Sequence, residues 1–294
     1  MQLSIIIPVY NSKKYLGDCL SSIFGARKSN MGIETIIVDN ASTDGTEDVI
    51  KKNYPFLRYI RNTFNKGSAA ARNQGITEAK GEFLMFLDSD AYLDKNFFIK
   101  LKSILISLPE DVGALAAKVI NVSTKKIFSC GLKISSIYRV YDVGRGRKTI
   151  NFSRPFMVDG PNSCCGIYRR ETLEKAKEKV YFDEDFFFLF EDADLALRMK
   201  KKGYKCLFVP ELACYHYGGG SGISGEYRRF LCFRNRIFMI LKYQQGEKLM
   251  CFLLKSFFYD LPRTFHFVLT NRYFLRTIHD ICNYRRKVKS YRVL

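Results

Sequence analysis

The sequence has no run of about 18 apolar residues, which excludes a conventional transmembrane helix. It has no tryptophan, only three histidines, and few acids: 29 Asp and Glu stand against 48 Lys and Arg, a formal charge of +19. No C-x-x-C pair occurs among the nine cysteines (Cys19, Cys130, Cys164, Cys165, Cys206, Cys214, Cys232, Cys251 and Cys282). Cysteine-rich zinc sites and disulfide frameworks therefore lack their usual pattern. The opening Met1-Gln2-Leu3-Ser4-Ile5-Ile6-Ile7-Pro8 has neither a basic stretch nor a cleavage site. Together with the odd cysteine count, this leads to the expectation of reduced thiols in a cytoplasmic protein without a secretory signal.

What is present suffices for a core. Hydrophobic residues make up 47% of the 294 positions, so intrinsic disorder is excluded as the main state. At roughly 100–200 residues per domain, the length fits one large domain or two small ones. A charge of +19 suits nucleic acid, an anionic membrane face or a phosphorylated substrate, and does not choose among them.

Over residues 1–120, apolar runs alternate with helix-periodic stretches. Ser4–Tyr10, Thr35–Val38, Leu57–Arg61, Glu82–Leu87 and Val112–Ile120 read as strands. Between them, Tyr15–Phe24 (capped by Asn11 or Ser12), Asp44–Lys52, Ser68–Ala79 and Phe97–Ser107 read as helices. This order implies βαβ units and a parallel sheet, with ligands beyond the carboxyl ends of the strands. Residues 121–224 show helices at Arg170–Lys179 and Asp192–Lys202, and otherwise predict antiparallel strands and loops ending in Gly218-Gly219-Gly220-Ser221-Gly222. Residues 225–294 alternate basic and apolar residues at helical spacing.

Phe86-Leu87-Asp88-Ser89-Asp90 places two carboxylates two residues apart where a strand ends. In extended chain such residues share a side, and two hard oxygens suit Mg²⁺ or Mn²⁺; an acidic turn is the plain alternative. Phe190-Glu191-Asp192-Ala193-Asp194-Leu195 brings acids to a helix start. The helix dipole favours them there, while an apolar wall beside a carboxylate raises its pKa and makes it a base. Asp39 either accepts from a nucleobase N–H or starts the turn into Ala41-Ser42-Thr43-Asp44-Gly45. Asn65-Lys66-Gly67-Ser68 to Arg72-Asn73 suits an anion at a helix start or a tight helix–sheet contact. His216 lies in Tyr215-His216-Tyr217-Gly218-Gly219.

Taken in order, Ser4-Ile5-Ile6-Ile7-Pro8-Val9-Tyr10-Asn11, Val38-Asp39-Asn40-Ala41-Ser42, Asn65-Lys66-Gly67-Ser68, Asp88 with Asp90, Glu191-Asp192-Ala193-Asp194 and Tyr215-His216-Tyr217 resemble the family 2 glycosyltransferases, in particular their rhamnosyltransferase-like branch, over about residues 3–240. The resemblance implies an α/β GT-A fold, a Rossmann-like nucleotide-binding half (1–120) and an acceptor half (121–224) around one mixed sheet, followed by a basic, amphipathic helical region (225–294). It implies nucleotide contacts from Pro8, Tyr10, Asp39, Arg72 and Asp88. Asp90 and His216 would hold Mg²⁺ or Mn²⁺. Asp192 would be the catalytic base, with Glu191 and Asp194 shaping the acceptor site. The Cys164-Cys165 pair before Arg169-Arg170 departs from the family pattern. Processive members carry Q-x-x-R-W, which a chain without tryptophan cannot contain.

The implied activity is non-processive, inverting transfer from a UDP- or dTDP-sugar to a hydroxyl of a glycan acceptor, lipid-linked and destined for cell-surface polysaccharide. A nucleic-acid binder or a non-catalytic nucleotide-sugar-binding protein is the alternative; no helix-turn-helix, zinc-finger or RNP-like pattern supports the former. Residues 225–294 hold 15 of the basic residues against four acids, with phenylalanines interleaved. Either this is an ordinary cap with a solvated basic face, or it docks on the anionic inner face of the cell membrane.

Overall fold

The computed structural model describes residues 2–26, 30–220, 222–244 and 246–290. Ser221 of the glycine stretch and Arg292 of the basic tail lie outside them. The elements run β1 (Gln2–Val9), α1 (Lys13–Gly25), β2 (Gly32–Asp39), α2 (Thr46–Asn53), β3 (Arg58–Arg61), α3 (Gly67–Glu78), β4 (Phe83–Leu87), β5 (Ala91–Leu93), α4 (Phe97–Ile106), β6 (Val112–Asn121), β7 (Ile127–Ser129), β8 (Leu132–Ile134), β9 (Val140–Asp142), β10 (Phe156–Val158), β11 (Cys165–Arg169), α5 (Arg170–Ala176), α6 (Glu191–Lys201), β12 (Lys205–His216), α7 (Gly225–Tyr243), α8 (Gly246–Thr270) and α9 (Phe274–Ser290).

The main sheet has the order β10-β12-β6-β11-β4-β1-β2-β3. Strands β4, β1, β2 and β3 are parallel. Strand β11 then inserts antiparallel between β4 and β6, making the sheet mixed. The uninterrupted apolar run of β1 follows from burial on both faces. Leu3, Ile5, Ile7 and Val9 pack with Leu16, Leu20 and Ile23 of α1. Ile6 points the other way, into a second core with Ala69, Ala71 and Ile76 of α3 and Leu195 and Met199 of α6. Each of these leucine, isoleucine, valine and methionine side chains, fully buried, contributes roughly 1.5–3 kcal/mol.

Two local expectations are corrected. Ser12 is the N-cap of α1, yet its side chain makes no cap hydrogen bond; the hydroxyl is shared instead with Ser89 Oγ at 2.7 Å. The middle of the chain is not wholly antiparallel, because the long β12 runs parallel to β6. Its register shifts between Val209 and Ala213, where Pro210 and Glu211 interrupt the apolar pattern and hide the strand from periodicity.

The chain divides into two compact units. The first comprises Met1–Lys133, Tyr141–Phe187 and Glu191–Gly222, and holds the main sheet. The second comprises Ile134–Val140, Phe188–Phe190 and Ile223–Leu294. In the second unit, Arg234 Nη1 meets Asp280 Oδ2 at 2.9 Å and Phe238 stacks on Tyr284 at 4.0 Å, tying α7 to α9. Along α8, Leu254, Phe258, Leu261, Phe265 and Leu269 recur every three or four residues and are each more than half exposed. Among the described residues no helix is long and apolar enough to cross a membrane.

Helix α3 lies against β1 so closely that a Cβ on Gly75 would stand 2.3 Å from Ile6 Cγ2, whereas nothing lies within 4 Å of one on Gly17 in α1. Alanine favours a helix over glycine by about 1 kcal/mol. Gly17→Ala is therefore expected to gain up to about 1 kcal/mol in urea unfolding. Gly75→Ala should lose stability despite the same gain, since overpacking costs about 1–3 kcal/mol. A Gly75→Ala protein more stable than wild type would contradict this packing.

Candidate active site

The parallel strands end together. Pro8 lies opposite Val38, and Val9 opposite Asp39. Pro8 and Tyr10 are half-buried, while Asp39 is fully buried. Asp39 Oδ1 accepts from the Ser42 N–H at 2.8 Å and the Ser42 hydroxyl at 2.6 Å. Its Oδ2 accepts from the Tyr59 hydroxyl at 2.7 Å. The carboxylate thus starts the turn into Ala41–Gly45. Asp44 continues it, accepting from the backbone N–H groups of Lys13 and Thr46 at 2.9 and 3.0 Å, so one loop anchors the starts of α1 and α2.

Where β4 runs out, Asp90 Oδ1 stands 3.0 Å from His216 Nε2 at the end of β12. Asp90 Oδ2 accepts from the Gly220 N–H at 2.9 Å. A Cβ on Gly220 would fall 2.6 Å from Asp90 Cβ, so only glycine lets the backbone come this close. Burial works against the Asp90 charge, but His216 and the Gly220 N–H hold its carboxyl below the usual range. Burial likewise opposes the imidazolium, which Asp90 and Asp88 raise above its usual value. His216 Nδ1 is buried without a partner, and the Phe128 ring packs edge-on at 4.4 Å. Asp88, Cys164 and His216 offer ligand atoms within 4.8 Å of one another.

Arg72, on α3, is 1% exposed. Its Nη1 donates to Glu191 Oε1, and its Nη2 lies 3.4 Å from Asp88 Oδ1. The Ser68 hydroxyl also donates to Glu191 Oε1, at 3.1 Å. Burial opposes the guanidinium charge, and Glu191, Asp88 and Asp192 outweigh it. Burial raises the Asp88 carboxyl, and Arg72 partly offsets that. Asp192 stands next to Glu191, with its Oδ2 accepting from the Ser163 N–H at 3.3 Å. Burial first and the Glu191 charge second push its carboxyl up to about 7. Asp194 faces elsewhere: its fully buried carboxylate takes Arg198 Nε at 2.9 Å, and Arg198 Nη1 donates to the Ala176 carbonyl.

The structure thus gathers Arg72, Asp88, Asp90, His216, Glu191 and Asp192 into one electrostatic group. It leaves Asp194 in an ion pair within α6, and Asp39 in its turn. Cys164 belongs to the group without having been singled out for it; the unusual Cys164-Cys165 pair was its only signal. Gly67 serves close packing, since a Cβ there would meet the Phe187 carbonyl oxygen at 2.3 Å. Asn73, in the same stretch, holds the Phe182 backbone through both ends of its amide at 2.8 Å.

Four carboxylates with one guanidinium and one imidazole leave a surplus of negative charge at the mouth of the sheet. Asp88 and His216 offer ligand atoms within 4.8 Å of one another, and Asp90 Oδ1 lies 3.0 Å from the same imidazole. Hard carboxylate oxygens with an imidazole suit Mg²⁺ or Mn²⁺, so the residues present fit a divalent ion.

Residues 4–176 match the family model described as Glycosyl transferase family 2. The chain belongs to that family. The poly(ribitol-phosphate) beta-glucosyltransferase of Bacillus spizizenii is 38% identical over 104 residues, a match that takes in 34% of this chain and only 16% of that enzyme. The structure of Staphylococcus aureus TarS 1-349 in complex with UDP-GlcNAc is similar with a TM-score of 0.59 at 21% identity, covering 97% of this chain and 79% of that one. The mannosyltransferase PcManGT from Pyrobaculum calidifontis, in complex with GDP-Man and Mn²⁺, gives 0.57 at 16% identity, covering 98% and 86%. These likenesses show the fold, the GT-A architecture expected of a family 2 glycosyltransferase.

The raised Asp192 carboxyl sets a pH dependence for this family member. Between an unfolded value near 4 and about 7, the native state holds a proton that the unfolded state has lost. Stability therefore falls as pH rises through that window. Asp192→Asn stays neutral and escapes the loss. Its melting temperature should exceed that of wild type by more at pH 8 than at pH 5; an equal difference at both values would contradict the assignment.

Proposed function

We propose that this glycosyltransferase moves a sugar from a nucleotide-diphosphate sugar to a hydroxyl of a glycan acceptor by direct, inverting displacement. One observation carries the reading. A carboxyl poised near 7 at Asp192 and the Asp90–His216 pair at 3.0 Å belong to one electrostatic group joined through Arg72. A nucleotide-binding protein without catalysis has no need of the first.

Asp90 and His216 would hold a divalent ion, with Asp88 beside them, and it would supply positive charge to offset that developing on the leaving diphosphate. Asp192 takes the proton from the acceptor hydroxyl as that oxygen attacks the anomeric carbon, and a carboxyl near 7 suits this task at neutral pH. Glu191 keeps Arg72 charged and in place. Pro8, Tyr10 and the Asp39 loop wall the base, and a pyrimidine such as that of UDP or dTDP suits a half-buried tyrosine. TarS in complex with UDP-GlcNAc and PcManGT in complex with GDP-Man and Mn²⁺ support a nucleotide-sugar donor and a divalent ion. The absence of tryptophan supports addition of one or a few sugars rather than processive polymerisation.

The acceptor we assign is lipid-linked and meant for cell-surface polysaccharide. The exposed stripe Leu254, Phe258, Leu261, Phe265 and Leu269 lies in the most basic part of the chain. Apolar side chains of this kind enter the interface, and lysines and arginines meet anionic lipid there. This gives a peripheral enzyme on the inner face of the cell membrane.

Asp192→Asn is expected to bind UDP with Mn²⁺ as wild type does and to lose about 10²–10⁴ in kcat, the usual worth of general base catalysis. Asp90→Asn is expected to weaken metal-dependent donor binding, and EDTA to abolish transfer. Near-normal turnover in Asp192→Asn, or activity indifferent to EDTA, would refute these roles.

A further inference from the structure

Three strand ends of the first unit bring Asp88, Cys164 and His216 together. Asp88 follows β4, Cys164 precedes β11 and His216 closes β12. Backbone bonds hold each in place. The Asp88 N–H donates to the Cys164 carbonyl at 3.0 Å, and the Cys164 N–H donates to Asn162 Oδ1 at 2.9 Å. The Val122 N–H donates to the His216 carbonyl at 3.0 Å. A carboxylate oxygen, the Cys164 sulfur and an imidazole nitrogen then lie within 4.8 Å of one another, close enough for one ion to engage all three.

The imidazole itself points to such an ion. Its Nε2 faces Asp90 Oδ1 at 3.0 Å, while Nδ1 is buried without a hydrogen-bond partner, in a residue only 7% exposed. A buried polar atom left unpaired costs about 1–3 kcal/mol, and a cation bound through it removes that cost. A histidine that ligates through one nitrogen gives the other to a carboxylate, which is the place Asp90 takes. The third donor decides the kind of ion. Magnesium takes oxygen ligands, whereas a thiolate beside an imidazole and a carboxylate selects zinc and similar ions. Cys164 and His216 form the closed side of the group, and the partly exposed Asp88 carboxylate opens it to solvent.

We propose that Asp88, Cys164 and His216 form a site for a thiophilic divalent cation of the zinc class. As the sulfur–metal bond forms, the S–H bond breaks and its proton leaves to solvent. His216 and Asp88 also belong to the Mg²⁺ or Mn²⁺ site of the proposed function, so one ion displaces the other and zinc opposes transfer. That consequence rests on the proposed function, whereas the thiolate site stands on the three side chains.

The test uses the full chain with Cys251 and Cys282, both exposed, replaced by serine. Cobalt(II) is the probe, because a thiolate bound to it gives a charge-transfer band in the near ultraviolet. The band is expected in this protein and should be lost in Cys164→Ser. Asp90→Asn should keep it, since Asp90 stands on the other ring nitrogen. Zinc affinity, measured by competition with a chromophoric chelator, should fall at least about tenfold in Cys164→Ser, the least that loss of even an outer-shell partner costs. No band in the starting protein, a band that survives Cys164→Ser, or one that vanishes in Asp90→Asn would overturn the proposal. X-ray absorption at the zinc edge needs no change at Cys164. One sulfur beside nitrogen and oxygen ligands supports the site; none, or several, contradicts it. Bound Mn²⁺, followed by electron paramagnetic resonance, should be released as zinc is added, and its retention would overturn the displacement. Failure of Mn²⁺ to bind at all would count against the proposed catalytic metal and leave the cobalt result standing.

Discussion

The buried guanidinium of Arg72 is the interaction on which the candidate active site depends. It joins the end of β4, through Asp88, to the start of α6, through Glu191, at 1% exposure. A charge so placed costs several kcal/mol in lost hydration unless partners surround it. Two carboxylates in contact and Asp192 nearby meet that need. The same arrangement orders the chemistry. Glu191 pairs with Arg72, its charge adds to burial in raising Asp192, and Asp88 is left beside Asp90 and His216. In the proposed mechanism, one arginine thus stands between the residues that would hold the metal and the carboxyl that would accept the proton.

Much of this was legible in the residue pattern, because the first half of the chain follows rules that act locally. A strand covered on both faces reads as an unbroken apolar run, and helices over it show their stripes; β1, α1, β2 and α3 all declare themselves in this way. Acids placed just beyond β4 and in the first turn of α6 were visible for the same reason. What stayed hidden depends on contacts distant in sequence. Arg72 signals nothing of its bridging role, since Glu191 lies far along the chain. Asp194 looks equivalent to Asp192 by composition, and only the helix geometry that sets it four residues before Arg198 turns it into the core. Strand β12 was masked by Pro210 and Glu211, which its irregular register accommodates.

The charge surplus has two characters. In the first unit, Arg72 and His216 are drawn among the carboxylates of the candidate site. In the second, arginines outnumber acids and gather round aromatic rings, while α8 keeps an apolar stripe exposed. Net charge alone does not distinguish a nucleic-acid surface from a lipid surface. An apolar stripe beside arginines favours the proposed lipid surface, because the phosphates of nucleic acid come without an apolar phase to receive the phenylalanines and leucines.

The central claim is that Arg72 and Glu191 act as one buried pair holding β4 and α6 together, and a double-mutant cycle in urea unfolding tests it most directly. Arg72→Met and Glu191→Met are each predicted to cost about 3–5 kcal/mol, since each strands a buried charge. The combined variant, with both charges gone, is predicted to lose far less than the sum. Additive losses would contradict the account.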